Sequence, residues 1–254
     1  MVLSPTVTII MPVFNEGGNL SIAVNSIILQ SLKSWNLVIV DDGSTDNTRE
    51  LAYAYSEKYH NIKLLVNKDN RGLSYSLNKA ISQTDSEYIA RMDADDIAMT
   101  GRLKSQLRFL KDHPEIDVLG TGAEVLTGHN KTIILKPENH NNILKSIEKT
   151  NPFFHSSIMM RRSFIESIGG YDNQCIRAQD YDLWLRGVDN FRYHNLQEVL
   201  MVYLSKNQSF KSIHYGLKVR VINSFRRHRV IIGSSKGVLV FIYGLWVKAL
   251  RALK

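Results

Sequence analysis

Apolar residues along this chain come in short runs that stop in polar, often acidic, loops, and these runs alternate with stretches of helical spacing. Val7-Thr8-Ile9-Ile10-Met11 predicts a first strand, which Pro12-Val13-Phe14-Asn15-Glu16-Gly17-Gly18 breaks into a loop. Asn19 or Ser21 can cap the next helix, which carries Leu20, Val24, Ile27 and Ile28 at helical spacing. Leu37-Val38-Ile39-Val40 predicts a second strand running into Asp41-Asp42-Gly43-Ser44-Thr45-Asp46. A helix over about 47–59 then starts with its partial positive end near those acids. A third strand over Ile62–Val66, a turn at Asn70-Arg71-Gly72 and a helix over Leu73–Ser82 lead to Tyr88-Ile89-Ala90-Arg91-Met92-Asp93-Ala94-Asp95-Asp96. The alternation predicts an α/β fold, a single Rossmann-like, mostly parallel, doubly wound sheet flanked by helices, with its strand ends gathered on one edge.

Two of those ends carry acid clusters, Asp41-Asp42 and Asp93-Asp95-Asp96. Three crowded carboxylates repel one another strongly once desolvated, so a cation is their natural guest. Hard oxygen ligands without nearby Cys or paired His point to Mg²⁺ or Mn²⁺ rather than zinc. The plainer readings are a solvated acidic turn for Asp93–Asp96 and an Asx turn for Asp41-Asp42-Gly43. Neither Gly-x-Gly-x-x-Gly nor Gly-x-x-x-x-Gly-Lys-Ser/Thr occurs, so a nucleotide bound here needs its phosphates neutralised by metal.

At 254 residues and 44% apolar content, with 5 Pro, the chain can bury a full core and is not disordered. Its single Cys175 excludes an internal disulfide and fits a reducing compartment, and the start of the chain lacks the pattern of a signal peptide.

Pro12-Val13-Phe14-Asn15-Glu16, Val40–Asp46, Asn70-Arg71-Gly72-Leu73, Asp93-Ala94-Asp95-Asp96 and Gln179-Asp180-Tyr181-Asp182-Leu183-Trp184 stand in the order found in glycosyltransferase family 2, which the chain resembles over roughly residues 6–205. The resemblance implies a GT-A fold in one domain over 1–205, and inverting transfer from a nucleotide-activated sugar with Mn²⁺ or Mg²⁺ as cofactor. By the same resemblance Pro12, Val13 and Asn15 frame the base with main-chain groups, Asp42 hydrogen-bonds a uracil imide while Asp41 fixes the turn, and Asn70 and Gly72 join the donor site. Asp93 and Asp95 match the D-x-D element that holds the cation on the diphosphate and contacts the ribose; Asp96 falls in the same metal region, and the choice among the three stays open.

Asp180 matches the family's base, which takes the acceptor hydroxyl's proton. Gln179 stands where the family places another acid, which removes one negative charge and lowers the expected Asp180 pKa relative to a two-acid site. His155, in Asn151-Pro152-Phe153-Phe154-His155, and Trp184 fall on the implied acceptor side. Read as residues alone, His155 fits a hydrogen-bonded structural histidine, and Leu183, Trp184 and Val188 fit a helix core as well as Trp184 fits a sugar floor. Gly169-Gly170-Tyr171-Asp172 resembles the turn that shapes the acceptor side.

Charge changes the picture at the C-terminus. The net charge is +8, yet Ser205–Lys254 holds 11 Lys or Arg and no acid, leaving 21 basic against 24 acidic residues before it. Helical spacing over 212–229 ends in Arg226-Arg227-His228-Arg229, and Gly237–Val247 is uncharged but short of the about 20 residues a bilayer span takes. On a helical wheel Lys236, Lys248, Arg251 and Lys254 oppose Phe241, Ile242, Leu245, Trp246, Leu250 and Leu253. Residues 206–254 therefore read as an amphipathic tail on an anionic membrane surface, or as a helix packed back on the domain. The apolar face is too large for a phosphate-tracking surface, so nucleic acid is not an expected partner.

The expected protein is thus peripheral on the cytoplasmic side of the inner membrane. It is expected to move a hexose from a UDP-sugar donor to a lipid-linked saccharide acceptor in O-antigen, lipopolysaccharide or capsule synthesis. A deoxythymidine-linked rhamnose donor, or a non-catalytic sugar-nucleotide-binding protein, are the alternatives. A sugar-nucleotide pyrophosphorylase would need a Gly-rich, Arg-containing N-terminal loop that this chain lacks. A homodimer is left open.

Overall fold

The computed structural model describes residues 6–147 and 149–205. β1 (Val7–Val13), α1 (Leu20–Ile28), β2 (Trp35–Asp41), α2 (Thr48–Lys58), β3 (Ile62–Val66), α3 (Leu73–Ser82) and β4 (Tyr88–Arg91) follow the expected order. β5 (Ile97–Ala98), α4 (Arg102–Asp112), β6 (Val118–Thr127), β7 (Asn130–Ile134) and α5 (His140–Ser146) come next. A 3₁₀ turn (His155–Ser157), β8 (Met159–Arg161), α6 (Arg162–Ser167), α7 (Gln179–Gly187) and β9 (Tyr193–Leu204) complete the described residues. The 206–254 tail, with its amphipathic reading, lies outside them.

One sheet runs in the order β3-β2-β1-β4-β8-β6-β9-β5, with β7 paired to β6. β3, β2, β1 and β4 are parallel, as alternation with helices requires. Beyond β4 the sheet is mixed, which narrows the mostly parallel expectation to its first half: β8 is antiparallel to β4 and β6, whereas β6 and β9 are parallel. A hairpin makes β6 and β7 antiparallel, and β5 and β8 are too short to show a period.

Strand alternation divides the core into two layers. Ile9, Met11, Leu37, Ile39 and Ala90 face Val24 and Ile27 of α1 and Leu103, Leu107 and Leu110 of α4. Ile10, Val38, Val40 and Ile89 face Leu77 of α3, Phe164 of α6 and Leu183 of α7. Each fully buried aliphatic side chain contributes about 1.5–3 kcal/mol. The chain lays β2 and β3 on one side of β1 and then crosses to place β4 on the other, so strand order reverses between β1 and β4. Such a switch point is where open α/β sheets bind ligands, outside the carboxyl ends of the strands.

Buried polar side chains fix that edge. The Arg102 guanidinium donates to the Arg91 and Ile158 carbonyls at 2.7 and 3.2 Å, and Gln106 Nε2 donates to the Leu119 and Ser157 carbonyls at 3.0 and 2.8 Å. Together they join α4 to the ends of β4 and β6 and to the 3₁₀ turn between them. No helix among the described residues is long and apolar enough to cross a membrane.

Candidate active site

Three loops meet at the switch point. The loop after β1 is pinned to the loop after β2: Asn15 Oδ1 accepts from Thr45 N at 2.9 Å, Ser44 Oγ accepts from Asn15 N at 3.0 Å, and Thr48 Oγ1 accepts from Glu16 N at 2.8 Å. Asn15 adopts φ 54°, a conformation Asn tolerates better than most residues. Pro12 and Val13 close β1, and the Val13 carbonyl accepts from Asp42 N at 2.9 Å.

Asp41, expected to fix the turn, accepts from Ser44 N at 3.1 Å and pairs with Arg49 at 2.7 Å. Asp42 holds the third loop: its carboxylate accepts from Asn67 Nδ2 at 2.7 Å, Arg71 N at 2.9 Å and Gly72 N at 2.8 Å. A carboxylate has about four acceptor positions, so one is left for a ligand. Gly72 thus bonds Asp42 directly, and Asn70 Oδ1 accepts from the same Gly72 N at 3.2 Å. At Gly43, with φ 79°, a Cβ would come within 2.7 Å of the Asp69 carbonyl carbon and 2.8 Å of Asn70 N. Only glycine lets these two loops touch there.

The acid trio follows β4. Carboxylate oxygens of Asp93, Asp95 and Asp96 lie within 4.8 Å of one another. Asp93 is gripped through both oxygens by the guanidinium of Arg91, which is 1% exposed, and its backbone N–H donates to Ser156 Oγ at 2.8 Å. Burial opposes the Arg91 charge, and Asp93 more than offsets that, so the Arg91 pKa lies above its ordinary value. Burial pushes Asp93 up, against the pull of Arg91. Asp96 is buried; its Oδ1 accepts from Leu204 N at 2.9 Å, while Oδ2 has no hydrogen-bond partner. Burial and then Asp93 push the Asp96 carboxyl up to about 7. A buried carboxylate oxygen without a donor, beside two more carboxylates, is what an oxygen-coordinated cation would satisfy.

Asp180 lies in the first turn of α7. Asn151 Nδ2 donates to its Oδ2 at 2.5 Å. Asp180 is close enough to the trio for its charge to act on Asp93. The residue before the helix's first turn, Ala178, has φ 57°, a strained conformation for alanine at the entry to a site. Gln179 is buried, 8% exposed.

His155 and Trp184 divide as follows. His155 Nε2 is 2.8 Å from the Tyr171 hydroxyl, and burial and then Arg91 hold its imidazole well below the ordinary range, so it is neutral at pH 7. Trp184 has 0% exposure, with Phe153, His155, Phe164 and Tyr193 rings around it at 5.0–6.4 Å. With no face open to solvent it packs the core, and the sugar-floor expectation for it is corrected accordingly. Tyr171 and Tyr203 line the same region; burial raises both phenols, Tyr203 to about 12.

Several residues at the site were not assigned a role from sequence. Asn151 sits in a quoted motif, yet its hold on Asp180 depends on folding two distant segments together. Arg91 reads as an interruption in an apolar strand, and a buried Arg two residues before an Asp was the available signal. Ser156 and Lys136 carry no local signal.

Known proteins resemble this chain in sequence and in fold. The sequence profile of Glycosyl transferase family 2 matches residues 8–169. EpsE of Bacillus subtilis (strain 168), provisionally named a glycosyltransferase, is 38% identical over 213 residues, covering 82% of this chain and 76% of its own. The O-antigen biosynthesis glycosyltransferase WbnJ of Escherichia coli is 30% identical over 237 residues, covering 86% and 92%. The S. aureus TarS 1–349 structure with UDP-GlcNAc superposes with a TM-score of 0.71 at 19% identity, over 86% of this chain and 66% of that one. At that identity the likeness establishes a GT-A type fold alone, and the chain spans just under two thirds of the solved protein. With the profile covering more than half of its length and relatives at this identity, the chain belongs to glycosyl transferase family 2, a family of transferases with relatives in bacterial polysaccharide and O-antigen synthesis.

Proposed function

We propose that the chain is a metal-dependent, inverting hexosyltransferase that moves a hexose from a UDP-sugar to a hydroxyl of a lipid-linked saccharide in bacterial surface polysaccharide synthesis. The observation that carries this reading is that the Asp93, Asp95 and Asp96 carboxylates converge within 4.8 Å on the sheet edge where Asp180 also stands. The donor set is all oxygen and includes the partnerless Asp96 Oδ2, which fits Mn²⁺ or Mg²⁺. Bound there, a divalent cation supplies positive charge against the charge that grows on the leaving diphosphate.

The chain's own residues do the rest. Pro12, Val13, Asn15, Asp42, Asn70 and Gly72 form the braced wall for the nucleotide, and Arg91 keeps Asp93 in place. Asp180 takes the proton of the acceptor hydroxyl as its oxygen attacks the anomeric carbon opposite the leaving diphosphate, which inverts that carbon. His155, neutral and bonded to Tyr171, shapes the acceptor side without carrying charge.

Names of relatives support the substrates. A 28% identical Escherichia coli relative is a UDP-Gal:alpha-D-GlcNAc-diphosphoundecaprenol beta-1,3-galactosyltransferase, and a mannosyltransferase of Pyrobaculum calidifontis with the same fold was solved with GDP-Man and Mn2+. The 11 cationic residues from Ser205 onward support a peripheral place on the cytoplasmic face of the inner membrane.

The test measures nucleotide release from UDP-hexoses with Mn²⁺ or Mg²⁺, with a GlcNAc-diphospholipid in anionic vesicles present or absent. The expected result is release that requires both metal and acceptor, by protein that sediments with the vesicles. Tight UDP-sugar binding without release under any acceptor condition would make the chain a sugar-nucleotide-binding module, and release from deoxythymidine-linked rhamnose alone would move the donor.

A further inference from the structure

The proposed reaction gives Lys136 no role. Lys136 is half-buried just beyond β7, and among the described residues it enters no ion pair. Its ammonium donates to the Asn151 carbonyl at 3.2 Å and stands 4.6 Å from the centroid of the Phe154 ring. Neither neighbour is anionic, and an ammonium has three donors, so two remain. Partial burial of a cation is costly, and a half-buried ammonium that keeps two spare donors is suited to an anionic ligand.

Its position is fixed from behind. The Lys136 carbonyl accepts from Gln197 Nε2 at 3.2 Å, and Asn195 Nδ2 donates to both the Pro137 and Pro152 carbonyls at 2.7 and 3.1 Å. Lys136 is thereby tied to the loop whose Asn151 side chain holds Asp180 at 2.5 Å. Burial lowers the Lys136 pKa and Asp180 pulls it back up, which places the ammonium on the Asp180 side of the site. Immediately before it, Ile133, Ile134 and Leu135 are 66%, 38% and 48% exposed. β7 pairs with β6 alone among the described strands, so these exposed aliphatic residues sit on an edge that leads to the cation, with Ile133 and Leu135 on one side of it and Ile134 on the other.

We propose that Lys136 binds the phosphoryl group of a phosphorylated aliphatic lipid that carries the acceptor sugar, and that Ile133 and Leu135, which alternation puts on one side of the edge, receive the first carbons of its chain. The assignment rests on the reading of the Asp180 side as the acceptor side. A compact ammonium suits a phosphate, and the aliphatic pair beside it suits an alkyl chain; a free phosphate would use the first and not the second. A saccharide joined to lipid through phosphate would then reach from Lys136 towards Asp180.

Calorimetric titration of the full chain, saturated with UDP and Mn²⁺, tests this with n-decyl diphosphate, inorganic pyrophosphate and n-decyl glucoside as probes. Decyl diphosphate is expected to bind most tightly. Lys136→Gln should weaken it by about tenfold or more, the range of a charge-assisted hydrogen bond, and leave decyl glucoside unchanged. Lys136→Arg, which keeps the charge, should retain binding. Ile133→Ser combined with Leu135→Ser should weaken decyl diphosphate and not pyrophosphate. Equal affinity of Lys136→Gln and wild type for decyl diphosphate would overturn the phosphoryl assignment, and equal affinity of wild type for pyrophosphate and decyl diphosphate would overturn the lipid one. Binding and not turnover is read, so failure here is distinct from failure of Asp180 as the base.

Discussion

Asp180→Asn lowers the rate of sugar transfer by about 10²- to 10⁴-fold, the usual contribution of a positioned general base, while UDP affinity stays close to wild type. The substitution keeps shape and removes the charge that the proposed reaction uses to take the acceptor's proton. Its consequence is confined because the Asp180 contact seen here is with Asn151, at 2.5 Å, and not with the loops that wall the nucleotide site. Loss of a group that acts only as the bond forms lowers kcat and kcat/KM together and leaves donor binding alone. The check is a pair of measurements on one variant, turnover with UDP-hexose and acceptor, and UDP binding by calorimetry. Turnover near wild type would remove Asp180 from the chemistry; loss of UDP binding would move it to the donor site.

Trp184→Ala destabilises the fold by about 3–5 kcal/mol, as expected when a large, fully buried aromatic is truncated and the cavity cannot collapse. The ring fills the space between Phe153, Phe164 and Tyr193, and α7, whose first turn carries Asp180, packs through it. Its Nε1 is buried without a partner, so Trp184→Phe sacrifices no hydrogen bond and costs less. Denaturant unfolding of both variants decides between packing and sugar contact. A Trp184→Ala protein as stable as wild type, but with a raised acceptor KM, would return the ring to the acceptor site.

These two residues also show what a single sequence can carry. Asp180 is marked by the motif Gln179–Trp184, which is local. Trp184 was ambiguous because helical spacing marks a buried face without saying what lies over it, and Phe153 and Tyr193 come from other parts of the chain. The parallel half of the fold was readable up to Tyr88–Arg91, where each strand has four to seven residues and each crossover is a helix. The mixed half was not, because three-residue β8 owes its place to pairing with β4 and β6. Likewise the acid trio was visible, whereas the grip of Arg91 on Asp93 and the partnerless Asp96 oxygen exist only once β4 is buried.

A thermal-shift titration with UDP, GDP, CDP and dTDP, each with Mn²⁺ and with chelator, bears on the assignment of this edge as a metal-nucleotide site. A ligand that binds only the native state at about 100 times its Kd stabilises it by roughly 2.7 kcal/mol. UDP with Mn²⁺ is predicted to raise the melting temperature more than the other nucleotides, and chelator is predicted to abolish the effect. A folded protein that shows no shift with any nucleotide, or a UDP shift that chelator leaves intact, would contradict the assignment of Asp93, Asp95 and Asp96.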